Sequence, residues 1–366
     1  MEALNQQQLE GLNQTQLDSL ARDLDALRDE TLADLGERDA RYIRGIVRLH
    51  RRMELAGRIM MPLGFIPPFF VAGALSLGIA KILENMEIGH NVMHGQYDWM
   101  NDPTLNSQTY EWDTICDADS WRLTHNYEHH TYTNIVGKDR DYGYDILRLD
   151  ESHPWRPHHL LQPLKFAALS FFFQWGVALH ELETRKLSKG QITLKDKKAF
   201  GRNLLRKSSR QVFKDYVFFP ALTFPVAPFV IAGNLTANLI RNLWSSSVIF
   251  CGHFPDQAQS FSLAAYENES RGQWYYRQLT GSSNFTGPKW MHTLSGHLSY
   301  QVEHHVFPDI PAHRYPEIGK KIETICARYG IPYNTGPLLS QYGNVFKRIL
   351  RRSLPNNLGW GRPKPA

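Results

Sequence analysis

Three short stretches of this chain carry residues that could do chemistry: His90-Asn-Val-Met-His94, His125-Asn-Tyr-Glu-His129-His130 and Gln301-Val-Glu-His304-His305. Together they hold seven histidines, and His253 and His297 lie close to apolar or aromatic segments as candidate additions. A structural or catalytic zinc takes four ligands, or five transiently, so seven to nine imidazoles are too many for one ion. A dinuclear metal site is the simpler reading. Imidazole donors suit iron, copper, zinc or nickel, whereas calcium and magnesium prefer oxygen. Residues four apart share one face of a helix, so His90 with His94, and His125 with His129, can each grip an ion. His130 follows at about 100° round the axis and faces a different partner.

Other residues near the boxes read differently. His50, His153, His180, His292, His313 and the pair His158-His159 read as surface or hydrogen-bonded histidines. Glu87 precedes His90 by three, the ExxH pattern of carboxylate-bridged di-iron bundles. Those sites need two such motifs and none is paired with it among the boxes, so Glu87 is a candidate ligand with a supporting role favoured. Glu128 and Glu303 stand beside box histidines and read as carboxylates that hold imidazole N–H groups.

The boxes match HxxxH, HxxxHH and QxxHH, and they resemble those of the membrane-bound fatty acid desaturases. The text around them, Gly89-His-Asn-Val-Met-His-Gly95 and Gln301 to Pro308, is similar to bacterial acyl-CoA or acyl-lipid desaturases. The resemblance covers about Ile59 to Pro316. It implies an all-α protein: integral membrane helical hairpins under a cytoplasmic helical cap that carries the dinuclear site. It also implies two Fe2+ ions held by His90, His94, His125, His129, His130, His304 and His305, with O2 as co-substrate. Gln301 stands where HxxHH desaturases have a histidine, so the site either uses the glutamine or recruits another imidazole. A histidine in the region of His253 ligates in the family. His297, four before Gln301 and seven before His304, shares a face with both if the segment is helical.

The implied reaction suits these donors. Removing two hydrogens from neighbouring methylenes needs an oxidant that side chains cannot provide and an oxygen-activating metal can. Imidazoles survive beside such an oxidant better than thiolates. A fatty acyl or alkyl hydroxylase shares the first C–H abstraction and is the nearest alternative. A membrane metal-binding or transport protein is disfavoured, because ion pathways are marked by polar residues within spans and the boxes lie outside them. A zinc hydrolase, which needs no reductant, is a third class.

The elements that must position these boxes follow from hydropathy. The boxes straddle most of the 366 residues, which argues for one integrated unit. An arm (1–50), a membrane desaturase domain (51–330) and a basic tail (331–366) are expected within it. Mean hydropathy is −0.42, so the polar part must outweigh the membrane part. Leu4, Leu9, Leu12, Leu17, Leu20, Leu24, Leu27, Leu32 and Leu35 form the stripe of an amphipathic helical arm that packs on the body. The start lacks the basic and apolar pattern of a secretory signal.

Ile59 to Ala80 is uncharged and long enough to cross a hydrocarbon core of ~30 Å. Pro62, Pro67 and Pro68 predict a tight hairpin of two uneven helices, the second running on through Lys81 toward His90; a kinked single span is the competing model. Phe166 to Leu179 is too short to span. The basic loop Thr184 to Lys214 belongs in the cytoplasm. Tyr216 to Phe254 predicts a second hairpin, with its turn at Gly233-Asn234 and His253 at its mouth. The metal site and both termini then share the cytoplasmic face of a multi-pass protein, placed by the resemblance in a bacterial inner membrane.

Cys116, Cys251 and Cys326 form no CxxC and are too few for a ferredoxin cluster. No GxGxxG fingerprint or HPGG haem loop is present. Electrons must arrive from a separate ferredoxin-like or flavin/iron–sulfur reductase. The other expected partners are membrane lipids and a fatty acyl substrate, with no nucleic acid. Acyl-CoA is favoured over lipid-linked chains because the basic loop and the tail Lys347 to Arg352 suit CoA phosphates; the other reading is that these charges anchor the chain to anionic lipid.

Overall fold

The computed structural model describes residues 12–358. Leu4 and Leu9 of the leucine stripe, and the last eight residues of the tail, lie outside the described residues. Regular structure is almost all helical, and the two short strands β1 (Asn284–Thr286) and β2 (Thr335–Pro337) pair in parallel.

Helix α1 (Gln14–Ala33) begins at Asn13, whose side chain accepts from the Gln16 backbone while Gln16 reaches back to the Asn13 N–H. That reciprocal cap satisfies two donors a helix start otherwise leaves open. Its stripe, Leu17, Leu20, Leu24 and Leu27, is buried against Tyr275, Phe307, Tyr315 and Ile322. The arm therefore covers the segment that follows the third box. Helix α2 (Glu37–Met60) comes next and runs through the expected boundary at residue 50.

A first hairpin is present, with limbs other than those expected. Its tip is Met61 to Ile66, so the charged α2 is the first limb and α3 (Pro67–Ile82) is the second. Pro67 and Pro68 occupy the first turn of α3, where a missing N–H costs nothing. The helix then continues as a π-helix, Leu83–His90, and a last turn, Asn91–Met93, which delivers the first box. Pro67–Met93 is the one helix, among the described residues, long and apolar enough to cross a membrane. The segment expected not to span forms α4 (Gln162–Phe171) and α5 (Phe173–His180), broken at Phe172.

The second hairpin turns elsewhere than predicted. After α6 (Lys198–Phe213) and a π-helical turn, Lys214–Phe218, the chain reverses at Thr223 to Val226, and α7 (Ala227–His253) carries the whole return. Gly233 and Asn234 are buried inside α7, not at a turn. Gly233 is there for close approach: a Cβ on it would sit 1.9 Å from Met61 Sδ at the first hairpin's tip. Asn234 donates to the Asp215 carbonyl (2.6 Å) and accepts from Arg58 (2.8 Å). Asp215 also binds Arg58 (3.0 Å) and Lys81 (2.8 Å), so one buried carboxylate ties both hairpins together. Large apolar side chains stay exposed on both, Phe65, Val71, Leu222, Phe224 and Leu235 among them. Soluble monomers rarely show apolar surface on that scale.

The C-terminal part adds α8 (Arg271–Thr280), α9 (Gln301–Val306), α10 (Tyr315–Tyr329) and α11 (Leu338–Ser353). In the basic tail, Arg348 is buried and donates to the carbonyls of Leu149 and Pro255. Arg351 pairs with Asp256, and Arg352 with Glu151. These three arginines hold the tail to the body.

Candidate metal centre

All three boxes are delivered by helix ends. The first sits where the π-helix that extends α3 finishes, and the second occupies another π-helix, Arg122–His129. The third is on the six-residue α9. π-Turns are rare and collect at functional sites, because an i→i+5 bond widens the helix and re-aims its side chains. The His125 ring stacks on His129 (5.0 Å, 25°), whereas His130 stands at 82° to it and stacks on His305, so the second of the doubled histidines faces a different partner, as its place on the helix predicts.

Six of the seven box histidines, joined by His253, fall into two groups. His90, His94, His125 and His304 bring ligand atoms within 4.8 Å of one another, and His129, His253 and His305 form a second such group. His130 stands between them, its ring 4.7 Å from His94 and 4.6 Å from His305, with both nitrogens unpartnered. Nε2 of His94, His125, His129, His304 and His305 is buried without a hydrogen bond, as is Nδ1 of His253. A buried polar atom without a partner is costly, and so many convergent ones fit metal ions better than any packing arrangement.

The opposite nitrogens are held. His125 Nδ1 donates to Asp141 (2.9 Å) and His129 Nδ1 to both oxygens of Asp139 (3.0 Å each). His90 Nδ1 meets Asn91 Oδ1 (3.1 Å), and His305 Nδ1 meets Gln278 Oε1 (3.2 Å). Such bonds fix the tautomer and leave Nε2 for an ion. Burial and neighbouring imidazoles push the pKa of His94, His130, His304 and His305 well below the ordinary value, which keeps them neutral and ready to ligate. At His129 burial also opposes charge, but the Asp139 carboxylate outweighs it and the pKa is raised.

Three expectations are corrected. Glu128 and Glu303 hold no imidazole: Glu128 pairs with Arg140 (3.1 Å), and Glu303 accepts from Tyr333 (2.6 Å) and Asn284 (2.9 Å). The segment from His297 to His304 is not one helix, because His297 has a left-handed backbone (φ 55°) and a 3₁₀ turn follows it. His297 lies in neither histidine group; its Nδ1 donates to Glu87 (3.0 Å), whose other oxygen accepts from Tyr42 (2.6 Å). Asp139 and Asp141 were not legible in the sequence. They lie in a loop nine to eleven residues beyond the second box, where no periodicity marks them.

Gln301 reaches the second group through His253. Its Nε2 lies 3.1 Å from His253 Nε2, and its Oε1 is buried without a partner. Gly252 makes the seat, since a Cβ there would fall 2.8 Å from Gln301 Cγ. His253 therefore presents Nδ1 to the group. His253→Ala is expected to lower bound metal and turnover together. His297→Ala should keep its metal and lose less than ~10-fold in turnover, as for a residue that supports only Glu87. Metal per chain measured beside product formation separates the two, and metal loss in His297→Ala would contradict this assignment.

A narrow cavity leads away from the centre. Its wall includes His90, Trp121, His125, His253, Leu298 and Gln301, so residues of both groups border it.

A family model described as fatty acid desaturase matches residues 66–337. The NADPH-dependent stearoyl-CoA 9-desaturase of Mycobacterium tuberculosis is 45% identical over 349 residues, 94% of this chain and 82% of that protein. The sn-1 linoleoyl-lipid 6-desaturase of Synechocystis is 26% identical over 74% of this chain and 76% of its own. With its histidine boxes assembled beside a cavity and the family model spanning most of its length, the chain belongs to the fatty acid desaturase family and is an oxidoreductase of fatty acyl chains.

Proposed function

We propose that this desaturase holds two iron ions in its paired histidine groups, takes an acyl-CoA substrate and receives its electrons from a separate reductase. The observation that carries the reading is the pair of imidazole groups bridged by His130, each with unpartnered nitrogens facing inward. Bound iron would supply the O2-dependent oxidant that removes hydrogens from neighbouring methylenes. The chain's own residues do the rest. Asp139, Asp141, Asn91 and Gln278 orient the imidazoles, and Trp121 and Leu298 form a dry wall beside them.

Other features support the finer points. The relative from Mycobacterium tuberculosis acts, by its name, on stearoyl-CoA and depends on NADPH. A cleft lined by Arg156, Lys165, Arg185 and Lys189 offers cations to CoA phosphates. Cys116, Cys251 and Cys326 are separate, free and buried, which leaves electron delivery to a partner. The family is membrane-associated. We read α3 and α7 as the long limbs of two membrane hairpins, with exposed Phe65 and Phe224 near the tips and the histidines on the cytoplasmic side. A reporter fused within Thr184 to Lys214 should accordingly report the cytoplasm, and a periplasmic signal would refute that topology.

The purified chain with stearoyl-CoA, O2 and NADPH is expected to do nothing alone. Adding an NADPH-driven flavin/iron–sulfur reductase should yield an unsaturated acyl product from protein that carries two irons. Sustained turnover without the reductase would remove the partner from the scheme. A hydroxylated product would favour the hydroxylase, and one zinc without iron would favour a hydrolase.

A further inference from the structure

The cavity follows one face of α7. His253, Ile249, Ser245, Asn242 and Arg241 all line it, so it runs along the helix away from the metal centre. From His253 back to Arg241 that path is about 18 Å at about 1.5 Å per residue. At the near end the wall is aromatic and apolar, with Trp121 packed on His125 (4.5 Å between rings) and Ile249 one turn from His253. The far end is polar. Asn85, Gln174, Arg241 and Ser245 line it, and each has a buried side-chain atom with no hydrogen-bond partner: Asn85 Nδ2, Gln174 Oε1, Arg241 Nη1 and Ser245 Oγ. These residues occupy about a turn and a half of α7. A Cβ on Gly78 of α3 would touch Ile240 of α7 at 3.0 Å, which sets Asn85, seven residues on, about two residues past Ser245 on the side of His253, and Gln174 N lies 3.4 Å from Asn242 Oδ1 beside Arg241.

Arg241 is the unusual member. It is 1% exposed and makes no ion pair among the described residues. Its Nε and Nη2 both donate to Asn242 Oδ1 (3.3 and 3.1 Å), and Nη1 is left over. A buried guanidinium is expensive unless its donors are satisfied. The surrounding atoms are a mixture of donors, an acceptor and a hydroxyl, the set that ordered water satisfies with about three hydrogen bonds each.

We infer that the far end of this cavity holds ordered water around Arg241, and that this hydrated wall stops the distal end of the acyl chain and so sets the chain length the enzyme accepts. A longer chain must strip water from the guanidinium while offering its donors nothing in return, so the limit is one of polarity and not of bulk. The inference rests on the acyl desaturase reading above.

The test compares stearoyl-CoA with arachidoyl-CoA as substrates of the reductase-coupled enzyme. Asn85→Leu keeps the side-chain size and removes the polarity; Arg241→Met does the same for the charge. Each is expected to raise kcat/KM for arachidoyl-CoA relative to stearoyl-CoA by about tenfold. Arg241→Lys, which keeps a cation, should stay near the wild-type ratio. If Arg241→Met does not fold, Asn85→Leu and Ser245→Ala carry the test. An unchanged ratio in variants that still desaturate stearoyl-CoA overturns the hydrated wall. A wild-type enzyme that makes no unsaturated product overturns the functional reading instead, so the two failures are distinct.

Discussion

His130→Ala is expected to abolish desaturation and to strip iron from the protein, with a loss larger than the ~100-fold that removal of an outer partner costs. The reason is position. His130 has neither nitrogen engaged, and it stacks on His305 (4.6 Å, 19° between ring planes) while meeting His94 and His304 edge-on at 4.7 and 4.8 Å. No other box histidine borders both groups so closely with both nitrogens open. Iron per chain, measured on protein that still elutes as a folded species, checks it against His305→Ala. Two irons retained in His130→Ala would show that the paired groups bind without it.

The second large effect should come from a residue that touches no ion. Asp139→Asn keeps shape and one acceptor but removes the charge that His129 Nδ1 faces at 3.0 Å from both oxygens. A fall of 10 to 100-fold in iron affinity or activity is expected, the usual cost of losing the carboxylate behind a ligating histidine. The same carboxylate accepts from the backbone N–H of Asn134 (2.8 Å) and Asp141 (2.9 Å), so Asn also leaves the loop less well tied. Glu128→Gln is the control, because its carboxylate serves Arg140 and no imidazole. Iron titration of the two variants side by side decides. Equal affinity would mean that the Asp139 bond orients nothing that matters.

The gathering of the box histidines was legible because few jobs other than ligation call for three such clusters in one chain. That the chain reverses twice was legible from uncharged length and prolines, though the first limb of the first hairpin is the charged α2 and not part of the uncharged stretch. The turns themselves were not, since Gly233-Asn234 is a turn signal only when nothing larger competes. Here the missing Cβ of Gly233 admits Met61, and the Asn234 amide is consumed by Asp215 and Arg58. The π-helical turns under two boxes leave no mark in the spacing, which reads as four residues on one face whichever helix carries it. Asp139 and Asp141 stayed hidden for a different reason: a loop has no period, and only the fold brings it back against the box it follows. His297 misled through the assumption of a continuous helix, which its φ of 55° breaks.

Helices α3 and α7 run from the hairpin tips to candidate metal ligands: α3 through its π-helical extension to His90, with His94 just past the end, and α7 to His253. Under the proposed topology they are struts that join the bilayer to the histidine centre. In the proposed orientation, a change in tilt imposed by a thicker or thinner bilayer moves His90 and His253 as the ends of two levers. Gly78 against Ile240, and Gly233 against Met61, are the points where those levers bear on their neighbours. An enzyme built this way makes the product that alters lipid packing while its own ligand spacing is braced against that packing.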